Sequence, residues 1–552
     1  MGSVRTRPRN THAEEVRGAM TSKVLTASIC GLDVELVRVE TDLCAGLPSL
    51  ALVGLPNATV RESKERIRSA IANSGVRFPL KRITINLSPA DARKEGSHFD
   101  LPLAVSVVAA AEKWDAALLS STAFLGELSL DGALHKVQMA SALMLGLKEQ
   151  GIKKVFLPEE NLGDLSCVEG MECYPAQHLE EVIDHFSGKW EIVSVPAGGG
   201  VCGDTSPPSR SDFGDFDEVK GQERAKRALQ ICAAGMHGLA MYGPPGTGKS
   251  MLASRIPTIL PPLGRNEILE VAKLYSIAGE TARASRPSSE RPFRAPHHSI
   301  TAAAMVGGGR RPKPGELTLA HRGVLFLDEL PEFDRRTLDM LRQPLEDEYI
   351  DLSRVGFRNR YPCRFILIVA MNPCPCGYYG DPAHTCVCGE AQRRRYLSKV
   401  SGPFLDRIDM HVQVAGVAYT ELNGRAGASS AELMEGVTRA REMQRLRGAA
   451  GAEGVFDLPE GDGSASPTDS EQCNARLTPE QTERYCRTEE DADRLLRNAY
   501  AVYGFSARQG KKMLRLARTI ADIEGSEIIK ADHISEAISY RRPSEIGGGY
   551  DD

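Results

Sequence analysis

The sequence predicts an α/β protein whose central part is a mostly parallel sheet with helices on both faces. Three observations carry that prediction. Short apolar strands (Leu239–Tyr242, Val324–Leu327, Phe365–Val369) alternate with helical segments between Phe216 and Val414. The first strand runs straight into a glycine-rich loop and then a helix. The second ends in two adjacent acids, Asp328 and Glu329.

The flanking elements follow in chain order. Residues 1–21 are basic and polar without an apolar core, so they are expected to be a disordered extension and not a secretory signal. Residues 22–190 mix strands (Val34–Val39, Arg82–Leu87, Lys154–Leu157) with helices (Val60–Asn73, Leu101–Ala111), which predicts an α+β domain. Residues 191–213 are rich in Gly, Pro and Ser from Pro196 to Ser209 and have the composition of a linker. The core is expected over 214–415. Residues 416–545 form a helical lid, with the strongest periodicity at Asp491–Tyr503 and Ala507–Ala521. A Gly- and acid-rich stretch, 448–471, is expected to be flexible.

Composition sets outer bounds. A chain of 552 residues is too long for one core. Lys and Arg total 68 against 73 Asp and Glu, so any nucleic-acid contact must come from local basic patches. No apolar run is long enough to span a membrane, so no membrane association is expected. Thirteen cysteines, an odd number scattered along the chain, fit a reducing compartment, and the cytoplasm is the expected location.

Gly243-Pro244-Pro245-Gly246-Thr247-Gly248-Lys249-Ser250 matches the phosphate-loop pattern GxxxxGK[ST]. Phosphate oxygens need many short donors, and glycines let backbone N–H groups approach without Cβ interference. Lys249 would bridge the β- and γ-oxygens of ATP, and the Ser250 hydroxyl would ligate Mg²⁺. Asp328 would hold the Mg²⁺ water shell and Glu329 would polarise the attacking water. Asn372, after the third strand, suits orientation of that water; the alternative is a turn residue before Pro373. Arg407, in Leu405–Asp409, lies where ring ATPases project a finger into a neighbour. Arg508, opening the helix Ala507–Ala521, could reach a γ-phosphate from the lid. The alternative for each is a surface ion pair.

Two further groups are chemically loaded. Cys374-Pro-Cys376 and Cys386-Val-Cys388 offer four thiolates, the number a structural Zn²⁺ takes. Free or redox-active thiols and an iron–sulfur cluster are the alternatives. Arg286–Arg322 and the expected hairpin Ile350–Arg364 are basic; Arg310, Arg311, Arg354 and Arg358 are the candidate phosphate contacts for DNA. A solvated basic surface is the alternative. His297 and His298 read as packing or hydrogen-bonding residues sooner than as metal ligands.

In combination, Phe216–Gln222, Phe293-Arg-Ala-Pro-His-His298, Pro314-Gly-Glu316 with Ala320-His321, and Ser401–Asp409 resemble the ComM/YifB family of magnesium-chelatase-like AAA+ ATPases. The resemblance covers nearly all of residues 22–545. It implies an N-terminal Lon-protease-like domain, an AAA+ P-loop core of the helix-2-insert branch, a helical lid and a homo-hexamer, with the two basic segments lining its pore. It also implies that Arg407 is a finger acting in trans, Arg508 a lid sensor, and the activity an ATP-dependent DNA translocase or helicase that moves branched DNA during recombination or natural transformation. Single-stranded or branched DNA would be the partner. A magnesium-chelatase motor and a protein-remodelling ATPase are the rival readings. Two departures stand out, the 448–471 insertion and Met434 where Arg is more usual. Proteolysis is not expected: His98 stands at the serine position of Lon proteases and Ser141 at their lysine position, and a serine without a base is a poor nucleophile.

Overall fold

The computed structural model describes residues 20–30, 32–90, 94, 96–165, 168–197, 213–280, 288–309, 313–354, 357–381, 383–417, 427–452 and 473–541. The chain divides into two compact units, Met1–Gly200 and Val201–Asp552.

The first unit is built on an eight-stranded mixed sheet. Its strands are β1 (Met20–Cys30), β2 (Asp33–Cys44), β3 (Ser49–Val53), β4 (Arg82–Ser88), β5 (Thr122–Phe124), β8 (Lys154–Pro158), β9 (Glu172–Ala176) and β10 (Val195–Pro196); β6 (Glu127–Leu128) and β7 (Leu134–His135) form a small separate pair. The sheet order is β10-β9-β8-β5-β1-β2-β4-β3. The long antiparallel β1–β2 pair organises it, with Met20 opposite Leu43 and Cys30 opposite Asp33. Helix Ala58–Asn73 begins at Asn57, whose side chain accepts the Val60 N–H. Helix Asp100–Glu112 is buried from Asp100 to Ala110, as an apolar-all-round helix must be.

The expected strands and helices of this unit are present, each slightly longer than its apolar pattern. Strand β1 was not among them. Its buried polar residues, Ser22, Thr26 and Ser28, are small, and Ser22 donates to the Ser106 carbonyl at 2.6 Å, beside Thr41 on β2, which donates to the Ser106 hydroxyl at 2.7 Å. A buried hydroxyl with a partner is tolerated in a core but blurs the alternation that marks a strand. The linker expectation is corrected at its start, since Val195 and Pro196 pair with β9; 198–212 lie outside the described residues.

The second unit carries a five-stranded parallel sheet: β11 (Leu239–Tyr242), β12 (Phe293–Arg294), β15 (Val324–Leu327), β18 (Ile366–Met371) and β19 (Met410–Gln413), in the order β12-β15-β18-β11-β19. Two hairpins stand apart from it, β13–β14 (Gly307–Gly308 and Lys313–Pro314) and β16–β17 (Tyr349–Arg354 and Phe357–Pro362). Strands β11, β15 and β18 are buried along their whole length, which explains why they read as unbroken apolar runs. Helices follow at Ser430–Ala452, Pro479–Tyr485, Glu490–Tyr503, Ala507–Ile523 and Ala531–Ser539. They share one continuous core with the sheet, in which Met241 and Ile368 join Leu516 and Ile520, and Met434 packs at its margin.

Helix Ser430–Ala452 enters the stretch expected to be flexible, which corrects its N-terminal boundary; residues 453–472 lie outside the described set. The helix is tied to helix Glu223–Gly235 by Arg441, which donates to the Ala233 carbonyl at 2.9 Å, and by Gln444, which donates to Ala234 at 3.1 Å. Among the described residues no helix is long and apolar enough to cross a membrane.

Candidate nucleotide-binding site

The phosphate loop leaves the C-terminal end of β11. Gly243 has no room for a side chain, because a Cβ would lie 2.0 Å from the Val414 carbonyl oxygen. Gly246 and Gly248 take left-handed φ of 78° and 86°, which L side chains rarely adopt. The helix Lys249–Ser254 starts directly after them. Lys249 Nζ donates to the carbonyls of Gly243 and Pro244, both at 2.7 Å, and to Asn372 Oδ1 at 3.2 Å. Burial lowers its pKa, while Asp328 and Glu329 pull the other way. An ammonium held only by neutral acceptors at the mouth of a glycine loop is suited to polyphosphate oxygens.

The metal side of the site is equally compact. Ser250 Oγ donates to Asp328 Oδ2 at 2.5 Å, so two oxygens of the kind Mg²⁺ prefers are already adjacent. The Glu329 N–H donates to Asp328 Oδ1 at 2.8 Å and fixes that carboxylate. Glu329 itself has a left-handed φ of 51°, a conformation that costs an ordinary residue about 1–2 kcal/mol. The turn after it holds that backbone, since the Glu332 N–H donates to the Glu329 carbonyl at 2.8 Å. Its carboxylate is more than half exposed and faces His298, with Nδ1 3.3 Å from Oε2. Sequence reasoning left His298 as a hydrogen-bonding residue and missed that its partner would be Glu329. Two other quoted motifs turn out to pair: Arg294 donates to both Glu316 oxygens at 2.7 Å.

The two arginines lie elsewhere. Arg407 Nη2 and Arg508 Nη2 meet the same oxygen, Glu346 Oε1, at 3.0 and 2.7 Å. They line a cavity of about 770 Å³ with Gly238, Phe365, Arg476 and Lys512. Gly238 precedes β11 and Phe365 precedes β18, so this cavity is at the N-terminal ends of the strands. The phosphate loop is at their C-terminal ends, roughly 15 Å away along β11. Arg508, expected to reach a γ-phosphate from the lid, is grouped with Arg407 and not with the phosphate loop of its own chain. Asp409 anchors the segment by accepting from Gly238 N–H at 3.0 Å and pairing with Lys512 at 3.0 Å. Despite its burial, Lys512 and His237 hold its carboxyl well below the usual range. Glu346 carried no sequence signal, because one Glu on a short helix belongs to no motif.

The four cysteines converge. Cys374, Cys376, Cys386 and Cys388 have all their sulfurs within 4.8 Å of one another. Separations of 3.3, 3.7 and 3.6 Å link the first three. A tetrahedral Zn–S₄ centre with bonds of ~2.3 Å spaces its sulfurs about 3.8 Å apart, so the thiols fit that ion. The Cys388 N–H points at Cys386 Sγ at 3.4 Å, the polarity a thiolate needs.

Arg310 and Arg311 lie outside the described residues, and of Arg354 and Arg358 the structure describes only the backbone, on the β16–β17 hairpin. In the first unit Ser97 donates to the Glu127 carboxylate, and Ser141 donates to the Asp164 carbonyl at 2.5 Å. His98 faces the Ala27 carbonyl at 2.9 Å, and burial pushes its pKa down to about 4.

Comparison with known proteins gives the same outline. The family described as "Magnesium chelatase, subunit ChlI" matches residues 215–422, "Subunit ChlI of Mg-chelatase" matches 39–161, and the ChlI C-terminal family matches 427–541. A Salmonella typhimurium protein named YifB is 41% identical over 94% of this chain and 96% of its own length. The competence protein ComM of Haemophilus influenzae is 38% identical over 94% of this chain and 97% of its own. The magnesium-chelatase 67 kDa subunit of Heliobacterium mobile is 29% identical, over 30% of this chain and 29% of its own.

Proposed function

Because the chain belongs to the ComM/YifB family of magnesium-chelatase-like AAA+ proteins, we propose that it is an ATP-hydrolysing motor, assembled as a homo-hexamer, that moves single-stranded or branched DNA. The observation that carries the ATPase part is the convergence of Lys249, Ser250, Asp328 and Asn372 at one end of the sheet. Bound MgATP would supply the γ-phosphate whose hydrolysis drives movement. Lys249 and the loop N–H groups bind the phosphates, Ser250 and Asp328 hold the metal, and Glu329 and Asn372 orient the attacking water. The grouping of Arg407 with Arg508 at the opposite end of the strands supports a role for both in a neighbour's site. A guanidinium pair resting on Glu346 has a ready anionic partner until a phosphate replaces it.

DNA as the substrate is supported by the near full-length similarity to a competence protein and by the basic residues of the two hairpin segments. The chelatase reading has weaker support, because the magnesium-chelatase 67 kDa subunit is 29% identical over 30% of this chain, whereas the competence protein is 38% identical over 94%. In this reading the Lon-like first unit is a docking or scaffold domain, and the four cysteines take a structural zinc.

The test is steady-state hydrolysis by the purified protein. Lys249→Ala should lose nucleotide binding, and Glu329→Gln should bind ATP and hydrolyse it at least about 100-fold more slowly. The parent should be stimulated by single-stranded or four-way DNA and not by unfolded protein. Parent-like turnover by Glu329→Gln rejects the water-orienting role, and stimulation by unfolded protein alone rejects DNA.

A further inference from the structure

The cysteine cluster does not stand apart from the phosphate loop. Asn372, which meets Lys249 at 3.2 Å, is separated from Cys374 by Pro373 alone. Strand β18 thus delivers Asn372 to the nucleotide site and the first thiol to the cluster in three consecutive residues. Cys374 then closes a tight turn, its carbonyl accepting the Gly377 N–H at 3.0 Å. Gly377 has φ of 89°, and a Cβ built on it would lie 2.5 Å from Pro245 Cδ and 3.1 Å from Pro245 Cγ. The backbone of the turn therefore lies directly on the ring of a phosphate-loop residue. On its far side the loop is fastened to helix Glu390–Leu397: Arg393 donates to the Cys388 carbonyl at 2.8 Å and lies over the Tyr379 ring at 4.2 Å.

This loop has little core of its own. Cys374 and Cys388 are buried, but Tyr379 is exposed and Val387 is 84% exposed. A segment so poor in apolar burial needs another source of order, and the sulfur spacing matches a tetrathiolate ion. Metal binding in such a loop is also folding energy. Building on the zinc reading above, we propose that the four-cysteine centre, holding a Zn²⁺-class cation, is a brace for the phosphate loop: its occupancy fixes Pro245 and Asn372, and so sets nucleotide affinity. The centre takes no part in hydrolysis. Its effect is mechanical, through the Gly377–Pro245 contact and the Asn372–Cys374 connection.

The coupling follows from geometry. Without the cation, the four sulfurs have nothing to hold them together, and the Cys374–Gly377 turn loses its register. Pro245 then loses the wall that limits it, and the loop must be ordered at the moment of binding, which weakens affinity. Gly377→Ala isolates the contact from the metal. It leaves all four ligands intact, yet places a methyl where Pro245 now sits and strains a left-handed backbone.

The experiment uses the full-length chain and a fluorescent ATP analogue with Mg²⁺. Zinc content is read by elemental analysis, and folding by thermal unfolding. The expected result is about one zinc per chain in the parent, at least tenfold weaker analogue binding after the zinc is stripped by chelation, and recovery when zinc is returned. Gly377→Ala should keep its zinc, unfold within a few degrees of the parent, and still bind the analogue several-fold more weakly. A parent without zinc that takes none up overturns the centre. A zinc-free chain of unchanged affinity, or Gly377→Ala with parental affinity, overturns the brace while leaving the ATPase reading standing. A zinc-replete parent that binds no analogue overturns the ATPase reading and the brace with it.

Discussion

His98 sits where a related domain would carry a nucleophile, yet it is buried against the Ala27 carbonyl and is neutral across the physiological range. Burial is the main cause of its low pKa, and the hydrogen bond to Ala27 opposes it weakly. The sign of the pH dependence follows from linkage. An unfolded histidine titrates near 6.5, the folded one at about 4, so the unfolded chain binds more protons between those values. Stability from this group is intact above about pH 6.5 and is lost as pH falls toward 4, by roughly 3 kcal/mol in all. Replacing His98 by Gln should flatten that part of the curve. Urea unfolding of parent and His98→Gln from pH 7.5 to 4 would check it, and parallel slopes would exclude His98 as the group responsible.

At the level of elements, the strands of the second unit were legible because parallel strands buried on both faces leave continuous apolar runs. Leu239–Tyr242 and Val324–Leu327 have in the structure the bounds their pattern gave. Strand β19 was not legible, because it carries His411 and Gln413; helix Ser430–Ala452 fell inside the expected helical lid without marked periodicity, its buried apolar stripe being the short run Leu433, Val437 and Ala440. The placement of Arg508 was unreadable for a different reason. Which end of a sheet a C-terminal helix covers is decided by long-range packing, such as Leu516 and Ile520 against the sheet core, and no local spacing encodes it. That placement has a kinetic consequence if both arginines serve a neighbour. Arg407→Ala should lower turnover by ~10³-fold or more, as loss of a finger does. Mixing it with Glu329→Gln subunits should restore part of the rate, because some junctions then join an intact finger to an intact acid. Arg508→Ala should behave the same way in mixtures. A lid sensor confined to its own chain's nucleotide would show no such rescue with Glu329→Gln, and that outcome, in rings confirmed as mixed, would overturn the shared trans assignment.

For the whole molecule the open quantity is what passes through the assembly, and charge bookkeeping makes that measurable. The chain as a whole is slightly acidic, with a formal charge of −5, so attraction for DNA has to come from local arginines. The β16–β17 hairpin brings Arg358 opposite Ser353 in register, with Arg354 opposite Phe357, so both cationic positions lie at its tip. The nearby Arg360 is already engaged by Asp351 at 2.9 and 3.0 Å, which makes it a structural residue of the hairpin. If Arg354 and Arg358 grip a strand, affinity should fall steeply with salt and depend little on base sequence. Arg354→Ala with Arg358→Ala should then remove about two phosphate contacts and flatten the salt slope by roughly 1.4 for single-stranded DNA. Hydrolysis without DNA should persist, because the hairpin belongs to neither the phosphate loop nor the Glu346 cavity. Stimulation by DNA and migration of a four-way junction should be lost together. A double variant that migrates the junction at the parental rate, with an unaltered salt slope, would place the grip on other residues.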